Sequence, residues 1–494
     1  MSFFAILIIF ALTSNSNASS SDKKCAQVLT PSVPHEFILE QQKKTGDLHP
    51  STKRLQDAVA TSGFQNVALN RDVLAKHNSQ HTLTLPRGEM VNQYQSGRCW
   101  IFAATNMVRS LLLRGQSVDT DFNFSQNYVW FFHFFEQMNT QYERLILARD
   151  KKYNAKEQRK LFALRLIEGG NFENFAGIVE QYGIVPYEVM PDTAESVYPE
   201  NLISELTIEM GRVAVELQKK FNATPRMSDE ELRAEKAEFL QRVWQIIATH
   251  LGNPPLTFQF KNKDIVMTDP DFKIGIPKIQ NAEIKTYTPK EFAAKVARFN
   301  GGEWVTFSAN PLLPKGKLYE LKRNPLEIKR APRELRFPRR YYNTNTEKLL
   351  DLMTRSLQNL IPVWTALDIR QGVDHYTGIM HPNIFNREGL FGPDFVDKPP
   401  PNLEDSVRYG ITRTVHAVLA IGLDQPKGFD HPIKFKIENS WGKRAGDFGI
   451  YHMYREWALE YNLEITIHVS ALTDAERALF DKKPVLISEH QDLP

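Results

Sequence analysis

The chain of 494 residues contains only two cysteines, Cys25 and Cys99. Two cysteines are too few for a disulfide scaffold, so the fold must depend on its hydrophobic core. With 42% hydrophobic residues, a chain of this length can bury a large core and form more than one subdomain. Cys25, close to the start of the chain, is expected to be an unpaired thiol.

Other common signatures are also missing. The net charge is only +3, which by itself gives no argument for nucleic acid as a partner. The sequence has no internal repeat, no heptad array, no His-Glu-x-x-His or Cys-x-x-Cys pattern and no glycine-rich phosphate loop. We therefore expect neither a metal nor another cofactor.

Long apolar runs are absent as well. The run at residues 3–12 is too short to span a membrane, which takes about 20 residues. Ser16-Asn17-Ala18 follows it and resembles a small-residue cleavage site. These features predict a signal peptide over residues 1–18 and an exported mature chain without a membrane span. A cytoplasmic location is the alternative, because no Lys or Arg precedes the apolar run.

The most informative motif is Gln-Tyr-Gln-Ser-Gly-Arg-Cys-Trp at residues 93–100. It leads into a pattern that predicts a buried helix over residues 99–114, ending at Gly115. A thiol at a helix N-terminus lies near partial positive charge, which we expect to lower the pKa of Cys99. Gln93 is placed to donate its side-chain N–H to an oxyanion, beside the Cys99 backbone N–H.

His416 and Glu-Asn-Ser-Trp-Gly at residues 438–442 complete the pattern far downstream. A histidine can take the thiol proton and return it to a leaving amine, while Asn439 fixes the imidazole and Trp441 covers that contact. Taken singly, a buried cysteine, a histidine and a turn asparagine are ordinary structural residues. Together, in this order, Cys99, His416 and Asn439 predict a thiol acyl-transfer site.

The chain resembles the papain-like cysteine peptidases, and among them the bleomycin hydrolase and aminopeptidase C family. The resemblance spans roughly residues 60–485. The segments that carry it are Gln-Ser-Gly-Arg-Cys-Trp-Ile-Phe (95–102), Phe-Ser-Gln-Asn-Tyr (124–128), Glu-Gly-Gly-Asn-Phe (168–172), Tyr-Gly-Ile-Val-Pro (182–186), Leu-Gly-Asn-Pro-Pro (251–255) and Glu-Asn-Ser-Trp-Gly (438–442).

The resemblance implies an α+β class and a two-lobed papain-like fold with a helical insertion for oligomerisation. The expected divisions are a signal peptide (1–18), an N-terminal arm (19–60), a helical lobe with the catalytic cysteine (61–189), the helical insertion (190–299), a β-rich lobe with the catalytic His and Asn (300–475) and a C-terminal arm (476–494). The implied partners are peptide substrates and further copies of the chain, in a hexamer.

Local patterns agree with this order. Helical segments are predicted over residues 124–166 and 190–250. Strands are predicted at residues 302–307, 361–368, 414–423, 433–438 and 463–469. Gly169 and Gly170 should break the first helix and offer backbone to an extended substrate. Asp368, at a strand end, is expected to support the site.

The C-terminal arm bears on the kind of peptidase. In the resembled family the arm lies in the non-primed side of the cleft, and its terminal carboxylate, here that of Pro494, meets the substrate's free amino group. That implies an aminopeptidase. The segment after Leu486 is about four residues shorter than usual, roughly 13 Å at ~3.3 Å per residue. A relaxed endopeptidase or a dipeptide-releasing enzyme is therefore an alternative.

Other classes also stay open at this point. A Cys-His-Asn site can transfer an acyl group to an amine, as an acyltransferase does, and a ring-shaped binding protein can keep such a fold without activity. Ten basic residues stand between Lys315 and Arg340. Solvated surface is the ordinary interpretation of such a segment. A channel-facing patch that binds polyanions is the alternative, and we do not expect nucleic acid as a physiological partner.

Overall fold

The computed structural model describes residues 31–115, 117–148, 166–223, 227–266, 278–321, 338–391, 401–488 and 492. Its helices are α1 (His35–Gly46), α2 (Pro50–Ser62), α3 (Phe64–Ala68), α4 (Arg71–Lys76), α5 (Cys99–Arg114), α6 (Gln126–Ala148), α7 (Phe172–Tyr182), α8 (Ala194–Val197), α9 (Glu200–Ala223), α10 (Asp229–Leu251), α11 (Pro289–Phe292), α12 (Thr346–Gln358), α13 (Arg387–Phe391), α14 (Leu403–Arg408), α15 (Arg455–Tyr461) and α16 (Asp474–Arg477).

Its strands are β1 (Leu83–Thr84), β2 (Phe258–Val266), β3 (Lys278–Tyr287), β4 (Trp304–Ser308), β5 (Lys317–Leu321), β6 (Arg340–Asn343), β7 (Val363–Leu367), β8 (Val373–Asp374), β9 (Ile379–Met380), β10 (His416–Asp424), β11 (Lys434–Glu438), β12 (Ile450–Tyr454), β13 (Asn462–His468) and β14 (Val485–Ile487). The predicted signal peptide (1–18), Cys25 and Pro494 lie outside the described residues. None of the described helices is long and apolar enough to cross a membrane.

The chain divides into two compact units, up to Val67 and from Ala68 onward. In the first unit, the segment predicted as an N-terminal arm contains helices α1 and α2, neither of which has a buried residue. The His49 side chain caps α2 by accepting a hydrogen bond from the Ser51 backbone N–H. The side chains of both helices are exposed or only partly buried.

The second unit is built on one mixed sheet. Its strands run in the order β14-β5-β6-β4-β13-β7-β10-β11-β12-β9-β8, and β1 pairs with β10 outside this path. Strand β10 is buried along all of its residues, and β7 beside it is also fully buried. Because strands covered on both faces read as continuous apolar runs, Ala417–Leu423 shows no alternation of polar and apolar residues.

Helix α5 passes through the core of this unit. Its side chains from Trp100 to Ser110 are all buried, and it packs on β10 and β7. The helix ends where Gly115 donates its backbone N–H to the Leu111 carbonyl. The predicted bounds of this helix are confirmed. Its burial was expected because it is apolar on almost every side.

The five predicted strands are confirmed as β4, β7, β10, β11 and β13, with ends that differ by at most two residues. The α+β class is therefore confirmed. The helix predicted over residues 124–166 is observed as α6 and has ended before residue 166, while residues 149–165 lie outside the described part. The helical pair predicted over 190–250 corresponds to α9 and α10.

The segment predicted as a helical insertion, residues 190–299, also contains the two strands β2 and β3, which the sequence analysis did not predict. Strands β2 and β3 form an antiparallel hairpin there. Phe258 and Tyr287 at its base pack against Phe292 of α11. The residues Phe258-Gln259-Phe260 alternate in the manner of a strand, and these aromatic contacts give the hairpin its own anchorage on the core.

The C-terminal segment begins as a strand at the edge of the sheet. β14 pairs in parallel with β5, with Ile487 opposite Leu321. Ile487 is buried in a small cluster with Tyr319 and Tyr341. The segment predicted as a C-terminal arm is therefore fixed to the sheet up to Ile487.

A buried ion pair joins α5 to the sheet. Arg109 Nη2 lies 3.0 Å from Glu438 Oε1, and each side chain is only 1% exposed. Asn106 Nδ2 donates to the same carboxylate oxygen at 3.3 Å. Gly88 allows the chain to pass over Arg109, because a Cβ at this position would lie 2.8 Å from the guanidinium.

Replacing Arg109 by Met should cost about 3–5 kcal/mol of unfolding free energy, because it leaves Glu438 buried without its cation. Calorimetric unfolding of the purified protein measures this. Arg408→Met is the matched control, since the Arg408–Glu404 pair has both side chains more than half exposed and contributes about 0.5 kcal/mol or less. Equal effects of the two substitutions would contradict a structural role for the buried pair.

Candidate active site

The Cys99 thiol lies at the start of helix α5, where the sequence predicts it. Arg98 is the N-cap residue, and Cys99 is the first residue of the helix. The thiol is partly buried and is close enough to the Ala417 backbone for a hydrogen bond. Because Ala417 follows His416 in β10, the structure brings the predicted cysteine and histidine together.

His416 and Asn439 are joined by a hydrogen bond of 2.8 Å between Nε2 and Oδ1. The same Oδ1 accepts the backbone N–H of Ser440 at 2.7 Å. A backbone N–H can only donate, so this contact fixes which end of the Asn439 amide faces the ring. His416 therefore carries its proton on Nε2, and Nδ1 is left with a lone pair that can accept a proton.

Trp441 covers this pair as predicted. Its ring centroid is 4.4 Å from that of His416, with the planes 31° apart. His375, which the sequence analysis did not single out, contacts Trp441 in turn, with ring centroids 5.4 Å apart. The indole thereby reduces the access of water to the His416–Asn439 hydrogen bond.

Gln93 ties the cysteine segment to the asparagine segment. Its Oε1 accepts from Ser440 Oγ at 2.6 Å, and its backbone N–H donates to the Ser440 carbonyl at 2.7 Å. Nε2 donates one N–H to the Ser96 carbonyl at 2.7 Å. The amide carries a second N–H, so a buried and oriented donor remains for a ligand near Cys99.

The electrostatics of the resting site differ from the expectation for the thiol. Burial raises the pKa of the Cys99 thiol and outweighs the hydrogen bonds from backbone groups that lower it. Burial also lowers the pKa of His416 to about 4, against the opposing effect of Asn439. Both directions favour a neutral thiol beside a neutral imidazole, because desolvation disfavours each separate ion.

The Glu168-Gly169-Gly170 loop packs directly against the cysteine segment. Gly97 donates its backbone N–H to Glu168 Oε2 at 2.7 Å, and Trp100 Nε1 donates to the Glu168 carbonyl at 3.1 Å. A Cβ on Gly170 would lie 2.8 Å from the Trp100 ring, whereas a Cβ on Gly169 would meet nothing within 4 Å. Gly170 is thus required by packing, and Gly169 borders open space.

Asp368 supports the strand that carries His416. Its fully buried carboxylate accepts from Arg370 and, at 3.0 Å, from the Arg413 backbone N–H. Burial opposes its ionisation, but the hydrogen bonds from Arg370 and Arg413 outweigh that effect and lower the pKa of Asp368. The carboxylate thereby fixes the chain three residues before His416.

Sequence reasoning missed Arg98, the residue before the cysteine. Its side chain is fully buried between the rings of Phe102 and Trp130, each about 5.2 Å from the guanidinium carbon. It forms a two-fold contact with Asp192, at 2.5 and 3.3 Å. The position of Arg98 next to an apolar helix could have indicated a buried cation. The sequence around Arg98 does not identify Asp192 as its partner.

The described part of the chain holds no group of three or more His, Cys, Asp or Glu residues arranged to bind a metal. The position predicted as a C-terminal gate, Pro494, lies outside that part.

The contacts described above bring together Gln93, Cys99, His416, Asn439 and Trp441. A carbonyl group bound there would meet a thiol, a base and an N–H donor.

Known proteins are similar to this chain over most of its length. A model of the Peptidase C1-like family matches residues 35–493. Aminopeptidase C of Lactobacillus delbrueckii subsp. lactis is 28% identical over 88% of this chain and 91% of its own length. Aminopeptidase G of the same organism is 26% identical over 93% of this chain and 100% of its own length. The crystal structure of PepW from Lactobacillus rhamnosis HN001 superposes with a TM-score of 0.80, at 28% identity, and covers 94% of this chain and 100% of that one.

The two loop glycines provide a matched pair of substitutions. Gly170→Ala should lower stability by about 1–3 kcal/mol, because the new methyl collides with the buried Trp100 ring. Gly169→Ala should leave the melting temperature unchanged and raise the KM for peptides, because its methyl enters the open space beside Cys99. Thermal unfolding and steady-state kinetics measure the two effects. The same melting temperature for both variants would contradict this description of the loop.

Proposed function

Because the chain belongs to the Peptidase C1-like family, we propose that it is a cysteine aminopeptidase that hydrolyses the N-terminal peptide bonds of peptides. The fold is papain-like, and the protein is a cysteine peptidase. The observation that carries the proposal is the His416 Nε2–Asn439 Oδ1 hydrogen bond, which leaves Nδ1 of His416 as a proton acceptor, while the Cys99 thiol contacts the backbone of the next residue, Ala417.

In the proposed reaction His416 Nδ1 takes the thiol proton as Cys99 Sγ attacks the scissile carbonyl. The imidazolium then gives this proton to the leaving amine, and the acyl group remains on sulfur. Water attacks the thioester with His416 again as base, which releases the acid and restores the thiol. Asn439 keeps the ring in one tautomer through both steps.

The pKa values of Cys99 and His416 in the resting site describe each group ionising alone, whereas proton transfer ionises both groups together. Burial penalises a lone thiolate or a lone imidazolium, and it is this penalty that raises the pKa of Cys99 and lowers that of His416. Transfer from sulfur to Nδ1 creates both ions together, and their mutual attraction opposes the penalty. We expect substrate binding, which displaces water, to strengthen that attraction.

Gln93 is proposed as the side-chain donor of the oxyanion hole, together with the Cys99 backbone N–H. Its carbonyl oxygen is held by Ser440, so the amide is oriented before substrate arrives. A donor that needs no reorganisation stabilises the developing charge more than water does. Trp441 and Asp368 are proposed as supporting residues that protect and position His416.

We further propose that the enzyme prefers to cleave after the N-terminal residue of a peptide. Two relatives that span this chain are named aminopeptidases. The C-terminal segment, fixed to the sheet at Ile487, is proposed to restrict the non-primed side of the groove. Export through residues 1–18 and assembly into a hexamer stay predictions, and a single 56.9 kDa species in light scattering would contradict the second.

The activity is tested with two fluorogenic substrates that carry the same residue, one with a free α-amine and one N-acylated. In the presence of a thiol reductant, the wild-type protein should cleave the free-amine substrate, and Cys99→Ala should abolish that cleavage. Cys25→Ala is the matched control and should behave like the wild type. Equal cleavage of both substrates would favour an endopeptidase, and label transfer to an added primary amine would favour an acyltransferase. No Cys99-dependent reaction would contradict the proposal.

Gln93→Ala should lower kcat by about 10²–10³ with a small change in KM, because the lost donor acts mainly on the transition state. Gln95→Ala, at an exposed position two residues away, is the control and should leave both constants unchanged. Steady-state kinetics on the free-amine substrate measure kcat and KM separately for each variant. A similar kcat in the two variants would exclude Gln93 from the oxyanion hole.

A further inference from the structure

The Asn439 side chain has one buried end that the proposed reaction leaves without a role. Its Oδ1 accepts hydrogen bonds from His416 Nε2 and from the Ser440 backbone N–H. Its Nδ2 is buried and forms no hydrogen bond with any described residue in the resting site. A buried N–H without an acceptor costs free energy, so an acceptor close to Nδ2 would help to fix the orientation of the amide.

The Tyr451 hydroxyl is such an acceptor. Tyr451 lies on β12 and is fully buried, and Asn439 donates its backbone N–H to the Gly449 carbonyl, just before this strand, at 3.1 Å. Burial raises the pKa of the Tyr451 hydroxyl, while the Asn439 side chain lowers it by hydrogen bonding. An amide that stabilises a phenolate points its N–H towards the phenol oxygen, so Asn439 Nδ2 and Tyr451 Oη are within reach of each other.

His375 lies on the other side of this hydroxyl. Its Nδ1 is 3.2 Å from Tyr451 Oη, and its backbone carbonyl accepts from the Gly446 N–H at 2.8 Å. Its ring centroid is 5.4 Å from that of Trp441, which in turn lies 4.4 Å from that of His416. His375 is therefore connected to the imidazole of His416 by two routes, one through hydrogen-bonding groups and one through the indole.

The donors and acceptors along the first route follow from one fixed group. The Ser440 backbone N–H can only donate, so the NH₂ end of the Asn439 amide faces Tyr451. The Tyr451 oxygen must then accept from Asn439, and its O–H is left to donate to His375 Nδ1. His375 can accept this hydrogen bond only when its ring is neutral and carries its proton on Nε2.

Protonation of His375 would disturb this arrangement in two ways. Its Nδ1 would become a donor, so Tyr451 would lose the acceptor for its O–H. A positive charge on His375 also lowers the pKa of His416, because two like charges repel. The imidazolium of the proposed reaction would then be harder to form, so both effects oppose proton transfer from Cys99.

The surroundings of His375 keep its ring neutral until the solution is more acidic than usual for a histidine. Burial lowers the pKa of His375, and the carboxylate of the preceding residue, Asp374, opposes this shift. On the facing loop, the Asp447 carboxylate is paired with His452 Nε2 at 3.2 Å. The cations of that loop have exposed side chains: Lys443 and Arg444.

We propose that Tyr451 and His375 are positioning residues that hold Asn439, and through it His416, for proton transfer from Cys99, and that protonation of His375 opposes this transfer. The inference rests on the proposed reaction, in which His416 takes the thiol proton. Hydrogen bonds of a catalytic site often tighten only when charge develops. The Asn439–Tyr451 contact should do so, because an imidazolium bound to Oδ1 makes the amide N–H a stronger donor.

The test follows the thiol itself and so does not depend on the choice of peptide. Alkylation of Cys99 by iodoacetamide is measured from acid to alkaline pH in the full-length protein with Cys25→Ala. kcat and KM on the free-amine substrate are measured over the same range, and circular dichroism checks that each protein is folded at each pH. Tyr451→Phe removes only the hydroxyl. His375→Asn keeps an acceptor close to the position of Nδ1 but cannot be protonated.

The same strand offers a matched pair of controls. Tyr454 lies three residues beyond Tyr451 on β12, and its Oη is 3.1 Å from Nδ1 of another histidine, His77. Tyr454→Phe and His77→Asn therefore remove the same groups from the same kind of contact away from Asn439. Both controls should keep the wild-type rates and pH profile.

Tyr451→Phe should lower the alkylation rate at its alkaline plateau, and kcat, by about two- to ten-fold, the factor that corresponds to one neutral hydrogen bond. KM should change little. In the wild type both rates should fall towards acid pH, and His375→Asn should move this fall to lower pH by about half a unit or more, because one neighbouring positive charge is removed.

An unchanged plateau in Tyr451→Phe, or an equal loss in Tyr454→Phe, would overturn the role of the hydroxyl. Coincident pH profiles of His375→Asn and the wild type would overturn the role of His375. If the variants shift the alkylation of Cys99 as expected but the wild type cleaves no peptide, the positioning residues are supported and the proposed peptidase function is contradicted.

Discussion

The buried ion pair between Arg109 and Glu438 is the constraint on which the candidate site depends. Arg109 belongs to the helix that begins at Cys99, and Glu438 immediately precedes Asn439. One contact of 3.0 Å therefore relates the thiol's helix to the residue that orients His416. Burying two charges costs several kcal/mol per ion, so the pair contributes little net stability. The pair instead fixes the position of helix α5 relative to strand β11, because the two charged groups must face each other. An apolar contact of the same size would allow the helix to shift along the strand.

Further contacts join the segment before Cys99 to the segment after Glu438. A short β-bridge pairs Asn92 with Trp441, and Gln93 accepts a hydrogen bond from Ser440. Gln93 and Asn439, the hydrogen-bond partner of His416, are thus on two segments that are paired with each other. Trp441 closes the assembly over His416. Gln93 is hydrogen-bonded to Ser440, and His416 to Asn439, so these buried side chains stabilise one another although burial opposes charge on Cys99 and His416.

Sequence patterns were sufficient for the parts of the structure that local physics determines. Cys99–Arg114 could be predicted as a helix because it is apolar on almost every side and stops at a glycine, and β10 could be predicted because it is a nearly continuous apolar run. Gln93, Cys99, His416 and Asn439 could be put forward as site residues because together they offer a nucleophile, a base, a group that orients the base and an N–H donor. The hairpin of β2 and β3 was missed although Phe258-Gln259-Phe260 alternates like a strand, whereas the parallel pairing of β14 with β5 depends on partners far apart in sequence. So does the Arg98–Asp192 contact, whose two residues are separated by almost a hundred positions. No window along the chain contains that information. The pKa of Cys99 was expected to fall because the helix terminus was visible in the sequence, while the burial that reverses the shift was not.

A single device recurs at three places around the groove. Arg98 binds Asp192, Arg109 binds Glu438, and Arg339 binds Glu464 and Asp492, in each case with the arginine less than a tenth exposed. The first fixes the segment before the cysteine, the second fixes the strand before the asparagine, and the third fixes the segment after the last strand. All three use arginine, whose planar donors define an angle as well as a distance. The segments that carry polar site residues cannot be fixed by apolar contacts alone, so they need another source of rigidity. These buried arginine–carboxylate contacts provide it, because each one sets the direction in which two segments of the chain meet.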